Sequence, residues 1–157
     1  MYDARQIANW FVRRAARDSR TLSIMQLLKL VYISHGWHLE MRKRPLFSNR
    51  IEAWRHGPVI PDVYNAFRGQ GIYAADEVLG YSADSIIDYD TELLEQMYNL
   101  YGGFSPFRLS DMTHEPGGPW EIATKTFGYF APITDDIIQA HYEAKRAKAS
   151  QRAHVGN

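Results

Sequence analysis

The chain has no cysteine. That absence excludes disulfide staples, thiol nucleophiles and thiolate metal sites together. Long hydrophobic runs are missing too. The longest apolar stretch, Ile24 to Leu39, carries Lys29, His35 and His38 and falls short of the ~20 apolar residues that a spanning helix needs. Met1–Gln6 is polar and no apolar core of signal-peptide length accompanies it, so a cytoplasmic protein without a membrane partner is expected. Glycine-rich phosphate loops are absent. Gly102-Gly103 and Gly117-Gly118 are isolated pairs, matching neither a Walker loop nor a dinucleotide fingerprint. No cofactor is expected.

Apolar material, by contrast, is ample. Of 157 residues, 45% are hydrophobic and 13% aromatic, enough for one domain to bury a core without staples. The 18 basic and 18 acidic residues cancel but are segregated along the chain. Residues 1–70 hold 12 Lys/Arg against 5 Asp/Glu, and residues 71–144 hold 2 against 13. The tail 145–157 holds 4 against none. Such blocks either face separate partners or neutralise one another on folding.

Periodicity predicts a helix over 3–18, where Ile7, Ala8, Phe11, Val12 and Ala15 recur at three- and four-residue steps. Ser23 with Gln26 forms a capping-box signature before a second helix, about 24–40, that is apolar nearly all round. A helix without a broad polar face belongs at the centre of a fold. Leu46-Phe47 and Ile51–Trp54 read as two short strands around Ser48-Asn49-Arg50, followed by a stiff elbow at Gly57-Pro58. Pro61 opens a helix to about Arg68, and residues 72–89 are mostly loop. Further helices are expected from Asp90 as cap, from Ser105-Pro106, from about Trp120 and from Thr134 as cap. The fold class is mainly α: a single compact helical domain over residues 1–144 with a small two-stranded β element. The basic polar tail 145–157 is expected to fray beyond about Lys148.

Three sets of residues invite a chemical reading. His35 and His38 share a helical face, but no third ligand or His-Glu-x-x-His pattern accompanies them, so no metal site is expected. His114-Glu115 beside Trp120 suggests a general-base pair and hence an enzyme, although no nucleophile elbow surrounds Ser105 or Ser110. The alternative for His114 is to cap the preceding helix. Arg5, Arg13, Arg14 and Arg17 on the first helix suit phosphates and a nucleic-acid-binding regulator. Against it, the following helix is too apolar to show side chains to base edges. These arginines and the acids Asp76, Glu77, Asp84 and Asp88 are candidate partner-facing charges.

Met25–Tyr32, then Pro45-Leu46-Phe47, then Ile51–Pro61 with Trp54, Gly57, Pro58 and Val59, followed by Tyr64, resemble the Panacea domain. Downstream, Thr113-His114, Pro119-Trp120 and Ile133-Thr134 resemble its second half. The likeness spans about residues 4–142. This antitoxin family includes SocA-like and phage-associated GepA-like proteins. One departure is the Gly117-Gly118 pair, which widens the gap between His114 and Pro119. The resemblance implies a mainly helical, non-enzymatic module that neutralises a protein toxin encoded nearby, by direct contact. In one SocA-like member it also implies delivery of the toxin to a protease. The motif tryptophans read as scaffold first and toxin contacts second, with Trp54 and Tyr64 packing against Trp37 and Trp120.

Purified protein is expected to carry no stoichiometric transition metal. About one zinc per chain by elemental analysis, lost in His35→Ala, would overturn that expectation.

Overall fold

A computed structural model describes residues 1–155. Helix α1, Ala4–Arg17, begins on a capping box in which the Asp3 carboxylate accepts from the Arg5 backbone and Gln6 reaches back to the Asp3 N–H. Its apolar face, including Ile7, Phe11 and Val12, is buried. Helix α2, Ile24–Arg42, starts on the expected Ser23/Gln26 box and stops at Lys43, which turns left-handed at φ 57°. From Leu27 to Leu39 only Trp37 is not fully buried.

Most of the other elements lean on this helix. The β-hairpin consists of β1, Glu52–Trp54, and β2, Gly57–Val59, paired antiparallel with Ala53 opposite Pro58. Helices α3, Pro61–Phe67, α4, Asp88–Tyr101, and α5, Pro106–Thr113, follow, then α6, Pro119–Phe127, and α7, Asp135–Val155. Of these, α3, α4, α5, α7 and β2 pack directly on α2, as α1 does. The fold is mainly helical with one small sheet, as the sequence indicates. No helix among the described residues is long and apolar enough to cross a membrane.

Several local expectations are corrected. The hairpin lies later than expected, turning at Arg55-His56, and the elbow residues Gly57-Pro58 form its second strand. Leu46-Phe47 makes only an isolated bridge, from Phe47 to Tyr2. The other edge of β1 is covered by 130–133, where Ala53 donates to the Ala131 carbonyl and accepts from Phe130, both at 2.8 Å. Asp90 is no cap: α4 begins two residues earlier, and the Asp90 carboxylate is buried. It accepts from Tyr2 Oη at 2.7 Å and lies 3.3 Å from His38 Nε2 and 3.5 Å from Arg42 Nε. A buried carboxylate needs such partners, because an unpaired charge in the interior is strongly destabilising. Helix α7 continues past Lys148 to Val155; the last two residues of the proposed tail lie outside the described residues.

Trp37 packs edge-on against Tyr142 of α7 at 4.8 Å, not against the hairpin. The helices come together here because residue 36 is glycine, and a Cβ at that position would run into the Tyr142 ring. Gly36→Ala therefore sets two effects against each other. Helix propensity favours alanine by about 1 kcal/mol, while forcing atoms into a packed contact costs about 1–3 kcal/mol. The clash is with ring carbons held on both sides, so the variant should unfold at lower urea than the parent. A raised midpoint would show that α7 moves aside freely.

Candidate functional site

The motif residues Trp54, Gly57 and Pro58 lie in the hairpin, and three side chains hold its carbonyl groups, Trp120 being the one that the motif singled out. Trp120 Nε1, near the start of α6, donates to the Trp54 carbonyl at 2.6 Å. Ser110 Oγ on α5 donates to the His56 carbonyl at 2.8 Å. Lys29 Nζ, reaching out of α2, donates to the Pro58 carbonyl at 2.9 Å. Three side chains from three helices thus clamp five residues of chain. His114 supports the clamp: its Nδ1 faces the Ser110 carbonyl at 2.6 Å, closing the end of α5, and its ring lies 4.1 Å from that of Trp120. Pro119, buried at the first position of α6, presents Trp120 to the hairpin.

Lys29 is the unexpected member. Its side chain is 1% exposed, and burial pulls the ammonium down to about 7, because taking a charge out of water favours the neutral form. Gly57 makes room for it. Its φ of +122° is one that side chains rarely adopt, and a Cβ there would lie 2.8 Å from Lys29 Nζ and 3.1 Å from the His114 ring. The glycine of the motif is therefore required twice, by backbone conformation and by the amine beneath it. Sequence reading missed Lys29 because a single lysine in an apolar helix reads as a side chain that escapes to solvent.

On its outer side the hairpin borders a groove of about 430 Å³. Ile24, Met25 and Leu28 of α2 contribute to its wall, with Val59 and Ile72 beside them. Trp54 meets Tyr64 edge-on at 5.1 Å and Phe130 at 5.7 Å. Phe130 holds a left-handed φ of 66° while its side chain is 61% exposed. Arg55, His56 and Arg68 also line the groove, and no acidic side chain does. Trp54 is thus half scaffold and half groove wall, whereas Trp120 belongs to the clamp.

The charged candidates resolve differently. Arg13 pairs with Glu77 at 3.0 Å and with Asp84 at 2.6 Å. Arg14 pairs with Glu95 at 2.8 Å and Asp18 at 3.1 Å, and Arg5 with Asp3 at 2.8 Å. Much of the basic face of α1 is therefore answered from within the chain, mostly by the acidic half. Arg17, Asp76 and Asp88 are exposed and make no side-chain ion pair among the described residues. The general-base pairing of His114 with Glu115 is not formed. Glu115 instead engages Lys145 and His141 of α7. His35 Nε2 lies 2.8 Å from Asp135, and His38 is turned to Asp90 and the Arg44 carbonyl, so the two histidines serve different partners.

The family model "Antitoxin SocA-like, Panacea domain" matches residues 27–121, a span that contains every clamp residue. Antitoxin SocA of Caulobacter vibrioides (strain NA1000 / CB15N) is 31% identical over 169 residues, covering 99% of this chain and 90% of that protein. No solved structure matches significantly.

The buried amine has a measurable signature. Its folded-state value of about 7 lies below the ordinary 10.5, so between these limits the unfolded chain binds more protons and stability rises with pH. The stability of the parent relative to Lys29→Met should rise from pH 7 to pH 9, by up to about 1.4 kcal/mol per unit. Urea titrations at a series of pH values test this. A difference that stays flat would mean that Lys29 reaches water.

Proposed function

The chain belongs to the SocA-like Panacea antitoxin family, and on that premise we propose that it neutralises a protein toxin by binding it directly. The toxin is the product of a neighbouring gene, and the encounter takes place in the cytoplasm. One observation carries the reading beyond family membership. A half-exposed aromatic wall, with Phe130 in a strained backbone conformation, sits on the motif hairpin. Exposed apolar surface of this kind marks contact with another macromolecule, and strain is retained where surrounding structure enforces it, often at functional positions.

The competing readings fit the geometry less well. A nucleic-acid-binding regulator needs Arg5, Arg13 and Arg14 free for phosphates, yet each is engaged by a carboxylate. Catalysis through His114 and Glu115 needs both at one reacting centre, and they are committed to different neighbours. Delivery of the toxin to a protease would require a further surface beyond the one that grips the toxin. The charged residues still exposed, Arg17, Asp76 and Asp88 among them, are proposed to steer the encounter more than to hold the complex.

Expressed alone, the protein should be harmless. Expressed with the neighbouring gene product, it should restore growth and co-purify with it. Growth restored with no complex at any salt concentration, through loss of the toxin messenger, would defeat the proposal. A shortened toxin half-life that depends on one protease would identify the delivery role, and an unchanged half-life would identify occlusion.

A further inference from the structure

We propose that the groove beside the hairpin receives an acidic segment of the toxin, one that places an apolar side chain between carboxylates. The inference rests on direct toxin binding and names the place and the chemistry. The floor and walls supply the apolar half of the argument: Met25 and Leu28 from α2, Trp54 and Tyr64 in edge contact, and Ile72 and Phe130, which are 74% and 61% exposed. An isolated domain gains nothing by holding two large apolar side chains in water, and a partner that covers them gains their burial.

Charge supplies the other half. Arg55 and Arg68 share the lining with His56, and no acid among the lining residues answers them. That contrasts with α1, where Arg13 and Arg14 each have two carboxylate partners from the same chain. Arg55 and Arg68 are exposed, and neither forms an ion pair among the described residues. The Arg55 guanidinium is 6.0 Å from the Tyr129 ring centre, within reach of the ring face but open to a carboxylate. A basic rim around an apolar pocket selects a segment of opposite charge and rejects another basic one.

Backbone bonding limits how that segment binds. Strand addition is closed off, because the free edge of β1 is already bonded to Phe130 and Ala131, and the Pro58 carbonyl of β2 is held by Lys29. Recognition falls to side chains: an apolar anchor against Trp54, Ile72 and Phe130, with carboxylates reaching Arg55 and Arg68.

The test uses the full chain and the toxin from the adjacent gene, with affinity measured by titration at low and high salt. Arg55→Glu combined with Arg68→Glu, and separately Ile72→Ala combined with Phe130→Ala, should each weaken the complex by at least about tenfold. Thermal midpoints should stay near that of the parent, since these side chains lie at the surface. Salt should weaken the parent complex more than the charge-reversed one. Leu79→Ala, 95% exposed and away from the groove, serves as control and should bind as the parent does. Parent binding with all variants unaffected would overturn the groove assignment and leave direct neutralisation standing. Failure of the parent itself to bind would defeat the broader proposal. A dimer of this chain alone that the groove substitutions dissolve would assign the groove to a second copy and overturn the inference.

Discussion

Burying α2 on all sides is the constraint from which the rest of the architecture follows. Its sequence offers no polar face, so neighbours must cover it from every direction, and α1, α3, α4, α5, α7 and β2 do so. One residue does not fit an apolar environment. Lys29 is enclosed with the rest of the helix, and a buried amine is tolerable only where an acceptor meets it. The Pro58 carbonyl is that acceptor. Proline serves well in this strand position because it leaves no N–H to be satisfied on the same residue, and the glycine before it admits the amine. The hairpin is thus tied to the core by a polar contact inside an apolar setting. Trp120 and Ser110 then fix the carbonyl that precedes the turn and the one at His56 within it.

This arrangement separates the clamp from the groove. The clamp atoms come from the α2, α5 and α6 side, and their loss would loosen the hairpin. The outward side presents Trp54, Tyr64 and Phe130. Trp54 connects the two: its carbonyl is clamped, its indole Nε1 donates to Glu52 at 2.9 Å, and its ring forms part of the groove. A partner that docks there meets a surface already fixed in shape, so little ordering is left to oppose association.

Legibility of the sequence varied with how local the determining interaction is. The helix starts at Asp3 and Ser23 depend on residues three apart, and the Ser23/Gln26 box was readable as such. The all-apolar pattern of α2 declared a central helix. The hairpin was displaced because Gly57-Pro58 looks like a chain stop, whereas here the proline pairs with Ala53 while its carbonyl serves Lys29, 29 residues away. Asp90 resembled a cap for the same reason: its real partners, Tyr2 and His38, are 88 and 52 residues distant. His114 was readable as a cap, and the geometry bears that out. Its neighbour Glu115 turns to α7, which adjacency in sequence does not reveal.

Segregated charge was the most visible feature of the chain, and folding uses much of it internally. Arg13 and Arg14 bridge α1 to the segment before α4 and to α4 itself. Exposed ion pairs of this kind contribute little to stability, but they cancel the field that a long basic face would project. What remains unbalanced is the smaller set around the groove, where Arg55, His56 and Arg68 stand without acids. A weak overall field with one uncompensated patch favours selectivity over attraction at a distance, since beyond about 10 Å salt screens most of the difference between charged faces. If the groove receives the toxin as proposed, discrimination among possible partners rests on short-range fit at the hairpin. On that proposal, the clamp could remain constant while the wall side chains change to suit a different toxin.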